Sequence, residues 1–118
     1  MIVLLTTQDI PAIKNVRLFL DLLQTLGVER GRIVFAMNRF DKRNTITPER
    51  VGETLKQEIT AVIPLDSLVV NQAVIKGVPF VLENRDKPSA RGIFDLAAGV
   101  RARLAEMEAE DAGRVAKR

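Results

Sequence analysis

The sequence predicts an α/β fold of three layers, a short parallel sheet with helices on its faces. Three observations predict it. Ile2-Val3-Leu4-Leu5, Ile33 to Met37 and Ala61-Val62-Ile63 are short, continuous apolar runs, the mark of strands covered on both sides. Stretches of helical period separate these runs, and alternation of that kind calls for a parallel sheet. The chain, at 118 residues, is long enough for one modest core and shows no internal repeat or linker.

The elements follow in order. After the first strand and a Thr6–Asp9 loop, Pro11 suits the first turn of a helix running to Leu26. Its stripe is Ile13, Val16, Leu20 and Leu23, widened by Phe19, Leu22 and Leu26, and Gly27 ends it. The second strand is Ile33–Met37. Thr47 and Pro48 then cap and open a helix in which Val51, Leu55 and Ile59 share a face. Pro64 stops the third strand, and Asp66 caps a helix through Ile75, closed by Gly77 and Pro79. Phe80-Val81-Leu82 reads as a brief extended piece. Pro88 opens a last helix striped by Ile93, Ala97, Val100, Leu104 and Met107, and from Glu108 the charged tail is expected to fray.

Composition removes several kinds of function. There is no Cys and no His, so thiolate chemistry, imidazole zinc sites and histidine-based catalysis are excluded within this chain. The five aromatic residues are all Phe, which argues against a stacking platform for single-stranded nucleic acid. The net charge of +3 is small and interspersed, so it adds little to a nucleic-acid reading. No apolar run approaches ~20 residues, and Met1–Leu5 has no basic region ahead of it as a signal peptide would. The expected location is the cytoplasm, without membrane insertion.

In an open parallel sheet, ligands bind beyond the carboxyl ends of the strands. Three polar segments converge there by topology: Thr6-Thr7-Gln8-Asp9, Asn38-Arg39 and Pro64-Leu65-Asp66. An Asn amide both donates and accepts, which suits the edge of a purine. A guanidinium at Arg39 can lie against a base or reach a phosphate. Each also has a local role: Asn as a turn residue, Asp66 as a helix cap, Thr6 and Thr7 bonding their own backbone. No G-x-x-x-x-G-K-[ST] occurs, and the seven glycines are scattered singly, so the chain carries no phosphate-cradling loop.

The run from VLLTTQDIPAIKNVRLFLDLL through FAMNRFDKR to VIPLD, NQAVIKGVPF and KPSARGIFDLA resembles the C-terminal half of CpaE/TadZ pilus-assembly proteins. These belong to the MinD/ParA group of P-loop ATPases. The resemblance implies a partial P-loop (Rossmann-like) domain lacking its N-terminal half, over residues 1–107, with 108–118 as the tail. It implies ATP as the cofactor, with Asn38 contacting adenine, Arg39 beside it, and Pro64, Leu65 and Asp66 flanking the base. The family's phosphate loop, magnesium-holding Asp and switch loop have no counterpart here. No catalytic residue or metal ligand is assigned, magnesium is expected through residues absent from this chain, and no hydrolysis is expected from it alone.

The implied partners are the missing ATPase half or a second copy, and pilus-assembly proteins. The tail, Glu106–Arg118, is short of large apolar residues and so does not support a membrane-binding helix. Two other readings stand beside this one. A degenerate P-loop fold can serve as a non-enzymatic dimerisation scaffold, and Asn-Arg-Phe-Asp also resembles the Asn-Lys-x-Asp of GTPases, with Asp41 reading guanine.

Overall fold

The computed structural model describes residues 1–117. Three parallel strands, β1 (Ile2–Thr6), β2 (Ile33–Phe40) and β3 (Ile59–Pro64), lie in the order β1-β2-β3. Between them run α1 (Ile10–Thr25) and α2 (Pro48–Leu55), and after them α3 (Ser67–Lys76), the single turn α4 (Phe80–Glu83) and α5 (Pro88–Ala116). The α/β expectation holds.

Side chains alternate along β2 and so serve both layers. Ile33, Phe35 and Met37 meet Val16, Leu20 and Leu23 of α1 and Val51 and Leu55 of α2. The intervening Val34 and Ala36 are buried as well, toward the layer in which α5 packs over β3 and β2. Helix and sheet approach closely at Gly92, where a Cβ would meet the Val62 carbonyl oxygen at 2.7 Å and the Ile63 Cα at 2.9 Å. On β1, Ile2 and Leu4 pack against the α1 side. Val3 and Leu5, on the other face, are 46% and 49% exposed, because α5 does not reach that far.

The caps behave as the residue types require. Asp9, Thr47 and Asp66 accept from the backbone N–H of Ala12 (2.9 Å), Arg50 (3.3 Å) and Val69 (3.3 Å). Gly77 closes α3 at φ 69°, in the left-handed region that costs glycine nothing.

Four boundaries differ from the sequence expectation. β2 continues three residues past Met37 because it keeps pairing with β3 as far as Phe40–Pro64, so Asn38 and Arg39 lie in the end of the strand and not in a loop beyond it. β3 starts at Ile59, which therefore leaves the helix that holds Val51 and Leu55. Phe80–Leu82 belongs to a helical turn, closed by the Asn84 N–H on the Phe80 carbonyl at 2.7 Å.

The fourth is the tail, which is helix to Ala116. Met107 is buried there, and the ion pairs Asp111–Arg32 (3.3 Å) and Arg114–Glu29 (3.6 Å) tie the last turns to the segment before β2. Arg103 bonds the Gly31 carbonyl and pairs with Glu106 at 2.6 Å, which also raises its pKa. The buried face of α5 runs through Gly92, Ile93, Leu96, Val100 and Met107, and leaves Ala97 and Leu104 in solvent.

Candidate functional site

A cleft of about 390 Å³ opens at the carboxyl ends of the strands, between the sheet and α3, α4 and α5. All five residues singled out from the sequence line it: Asn38, Arg39, Pro64, Leu65 and Asp66. The Leu65 N–H donates to the Phe40 carbonyl at 2.9 Å, which holds the end of β3 against the end of β2. Arg39 takes a left-handed backbone, φ 54°, in the stretch where the β2–β3 register slips. A non-glycine residue in that region is uncommon and is found disproportionately at functional sites.

The polar groups of the cleft fall into two sets. Asp66 is fully engaged: one carboxylate oxygen caps α3 at the Val69 N–H, and the other accepts from the Ser89 hydroxyl at 3.1 Å. Ser89 is 1% exposed and stands at the start of α5, so Asp66 braces two helix N-termini against each other. Among the described residues, by contrast, the side chains of Asn38, Arg39 and Asn71 form no hydrogen bond within the protein. Leu5, Ile63, Phe80 and Ile93 supply apolar walls. The arrangement suits a planar, uncharged ring with donors and acceptors on its edges.

The Thr6–Asp9 segment does not join this site. Gln8 is buried and satisfied, donating to the Ile46 carbonyl (2.8 Å) and accepting from the Asp41 N–H (2.8 Å). The Thr7 hydroxyl donates to Asp9, which also accepts from Ala12, and both bonds lower the Asp9 pKa. Gln8 fastens the end of β1 to the loop after β2, and only Leu5 of that strand reaches the cleft. Two of the three polar segments converge.

Asp41 lies outside the cleft, beside a separate hollow with Lys42 and Arg43. The Arg43 guanidinium (2.9 Å), helped by the Arg43 N–H, holds its carboxyl down at about 2. This brace is present above the ordinary Asp range and lost as pH falls through about 2. Arg43→Gln is expected to return the Asp41 carboxyl pKa toward the usual value near ~3.9, read by carbon-detected NMR titration. A wild-type Asp41 titrating in the ordinary range would contradict the pairing.

Asn71, Ser89, Phe80 and Ile93 were not singled out from the sequence. None of them carried a usable signal, since each is a single residue within a helix.

Comparison with family models and with curated proteins returns no match. Solved structures do match. The MinD cell division protein of Aquifex aeolicus superposes with a TM-score of 0.74 over 85% of this chain and 43% of its own, at 22% identity. MinD of Pyrococcus horikoshii, complexed with Mg-ADP, gives 0.69 over 83% of this chain and 40% of its own, at 26% identity. A ParA family ATPase from Chlorobium tepidum gives 0.69 over 81% and 39%, at 18% identity. The fold is that of the MinD and ParA ATPases. This chain spans only 39–43% of the length of these MinD and ParA proteins.

Proposed function

We propose that this chain is the C-terminal portion of a CpaE/TadZ-like ATPase of the MinD/ParA kind, and that it supplies the adenine-binding edge of an ATP site. The observation that carries the reading is the cleft itself. It lies where parallel α/β sheets bind ligands and gathers Asn38, Arg39, Pro64, Leu65 and Asp66 between apolar walls. The groups present fit a base: a free amide for its edge and a free guanidinium for its face or a phosphate.

They do not extend to magnesium. Among the described residues no cluster of three or more acidic, His or Cys side chains can hold a metal. ATP hydrolysis on this reading needs a phosphate loop and metal ligand from sequence outside these 118 residues.

The open edge of the sheet supports the same reading. Val3 and Leu5 of β1 are half-exposed, and Leu22 and Leu26 form an exposed apolar flank on α1. Arg17 bonds the Thr54 carbonyl of α2 at 3.2 Å, and Leu22 and Leu26 project from the opposite side of the helix, away from α2. A further strand beside β1, with its own helix, would cover both surfaces. We assign that cover to the other half of the ATPase domain. The whole protein then acts in the cytoplasm in Flp-type or type IV pilus assembly or polar localisation, by self-association and contact with pilus-assembly proteins. No helix of the described residues is long and apolar enough to cross a membrane.

Replacing Asn38 by alanine in the protein that carries this domain is expected to weaken ATP binding about tenfold, or ~1.4 kcal/mol. Isothermal calorimetry reads it, and unchanged affinity would sink the base-reading role. The same exposed edge also supports a second reading, a dimerisation scaffold without nucleotide. That reading requires a melting temperature indifferent to ATP.

A further inference from the structure

We infer that Asn71 is a second base-reading amide of this cleft, acting with Asn38 to select a 6-amino purine over a 6-oxo purine. The inference rests on the reading of the cleft as a nucleotide site and names its specificity.

Two observations support it. The first is placement. Asn38 comes from the end of β2 and Asn71 from the second turn of α3, and both line the cleft. Ser67 and Val70 of α3 line it too, whereas the neighbouring amide, Gln72, does not. The orientation of α3 is fixed at its start, where Asp66 joins the Val69 N–H to Ser89 of α5, and by Val69, its one buried residue.

The second is a local rule broken without local return. Asn is a poor residue for a helix interior because its amide competes with the backbone. It suits a cap, but Asp66 already caps α3. The Asn71 amide bonds nothing among the described residues. An exposed Asn on a helix is ordinarily a solvated surface residue. Here it stands in a helix otherwise rich in Leu, Val, Ile and Ala, on the turn that faces the cleft. A residue that disagrees with its element is expected where a site needs it.

The chemistry of the ring explains why two amides are useful. The exocyclic amino group of adenine has two hydrogens, one beside N1 and one beside N7. Each edge therefore offers a donor next to an acceptor, the pair that one amide meets with both its groups. Asn38 satisfies one edge and Asn71 the other. In hypoxanthine the oxygen replaces the amino group, so the N7 edge offers two acceptors. One amide oxygen is then left without a partner, which costs binding.

The test titrates the full chain with AMP and with IMP, which carry the same ribose and phosphate. Affinity is followed by calorimetry and the side-chain amide signals by ¹⁵N NMR. AMP is expected to bind more tightly than IMP and to shift the Asn38 and Asn71 side-chain signals together. Asn71→Ala is expected to weaken AMP about tenfold and to shrink the AMP-over-IMP preference. Its melting temperature should hold or rise, since Ala is the better helix former.

If AMP shifts Asn38 while Asn71 stays still and Asn71→Ala binds as wild type, the inference is overturned and the nucleotide reading stands. If AMP shifts neither residue, the nucleotide reading fails and takes the inference with it.

Discussion

Gly92→Val is expected to destabilise the protein by about 3 kcal/mol, at the upper end of overpacking costs. The reason is the kind of atom in the way. A side chain at residue 92 runs into the Val62 carbonyl oxygen and the Ile63 Cα, both backbone of β3, so no rotamer change relieves it. The helix must step back from the strand it covers. Ser89 and Ile93 stand on either side of Gly92 and line the cleft, so ligand binding is expected to weaken with stability. Gly113, in the same helix, has nothing near its missing Cβ. Gly113→Ala should therefore gain up to ~1 kcal/mol from helix propensity. Urea unfolding of the two variants separates them, and a loss below ~1 kcal/mol for Gly92→Val would contradict the close contact.

Phe35→Ala is expected to cost about 3–5 kcal/mol. Phe35 is the largest of the fully buried side chains, 0% exposed, in the middle of the central strand and in the cluster shared by α1 and α2. Deleting the ring loses its transfer free energy and leaves a cavity that strands paired on both sides cannot close. Small domains hold about 5–15 kcal/mol in total, so the variant is expected to sit near its folding threshold. An unfolding midpoint close to wild type, with an unchanged denaturant slope, would contradict the central place given to Phe35.

Much of this architecture was legible because the determining signals are local. Three apolar runs marked the strands, although β1 is covered on one face only, and Thr47, Asp66 and Pro88 marked helix starts that the structure repeats. The misplaced boundaries have tertiary causes. β2 reaches Phe40 through pairing with β3 and a left-handed Arg39, which no propensity indicates. The last helix continues to Ala116, and its end carries ion pairs to Arg32 and Glu29, far away in sequence. Phe80–Leu82 was open to either reading, since a short apolar string fits a strand or a helical turn.

The site divides in the same way. Asn38, Arg39, Pro64, Leu65 and Asp66 were visible because strand ends in a parallel sheet are where ligands bind. The engagement of Gln8 and Asp9 in loop structure was not visible, nor was Asp66 as a brace to Ser89. Each depends on a partner brought close only by the fold. Asn71 stayed hidden because one amide on a helix carries no spacing signal.

The central claim, that the strand ends of this chain receive the adenine of ATP, is tested most directly by photolabelling the protein with 8-azido-ATP and mapping the adducts by mass spectrometry. Labelled peptides containing Asn38 and Arg39, or the segment from Pro64 to Asn71, with labelling suppressed by excess ATP, are the predicted result. Adducts confined to other segments, or labelling that ATP does not suppress, would contradict it.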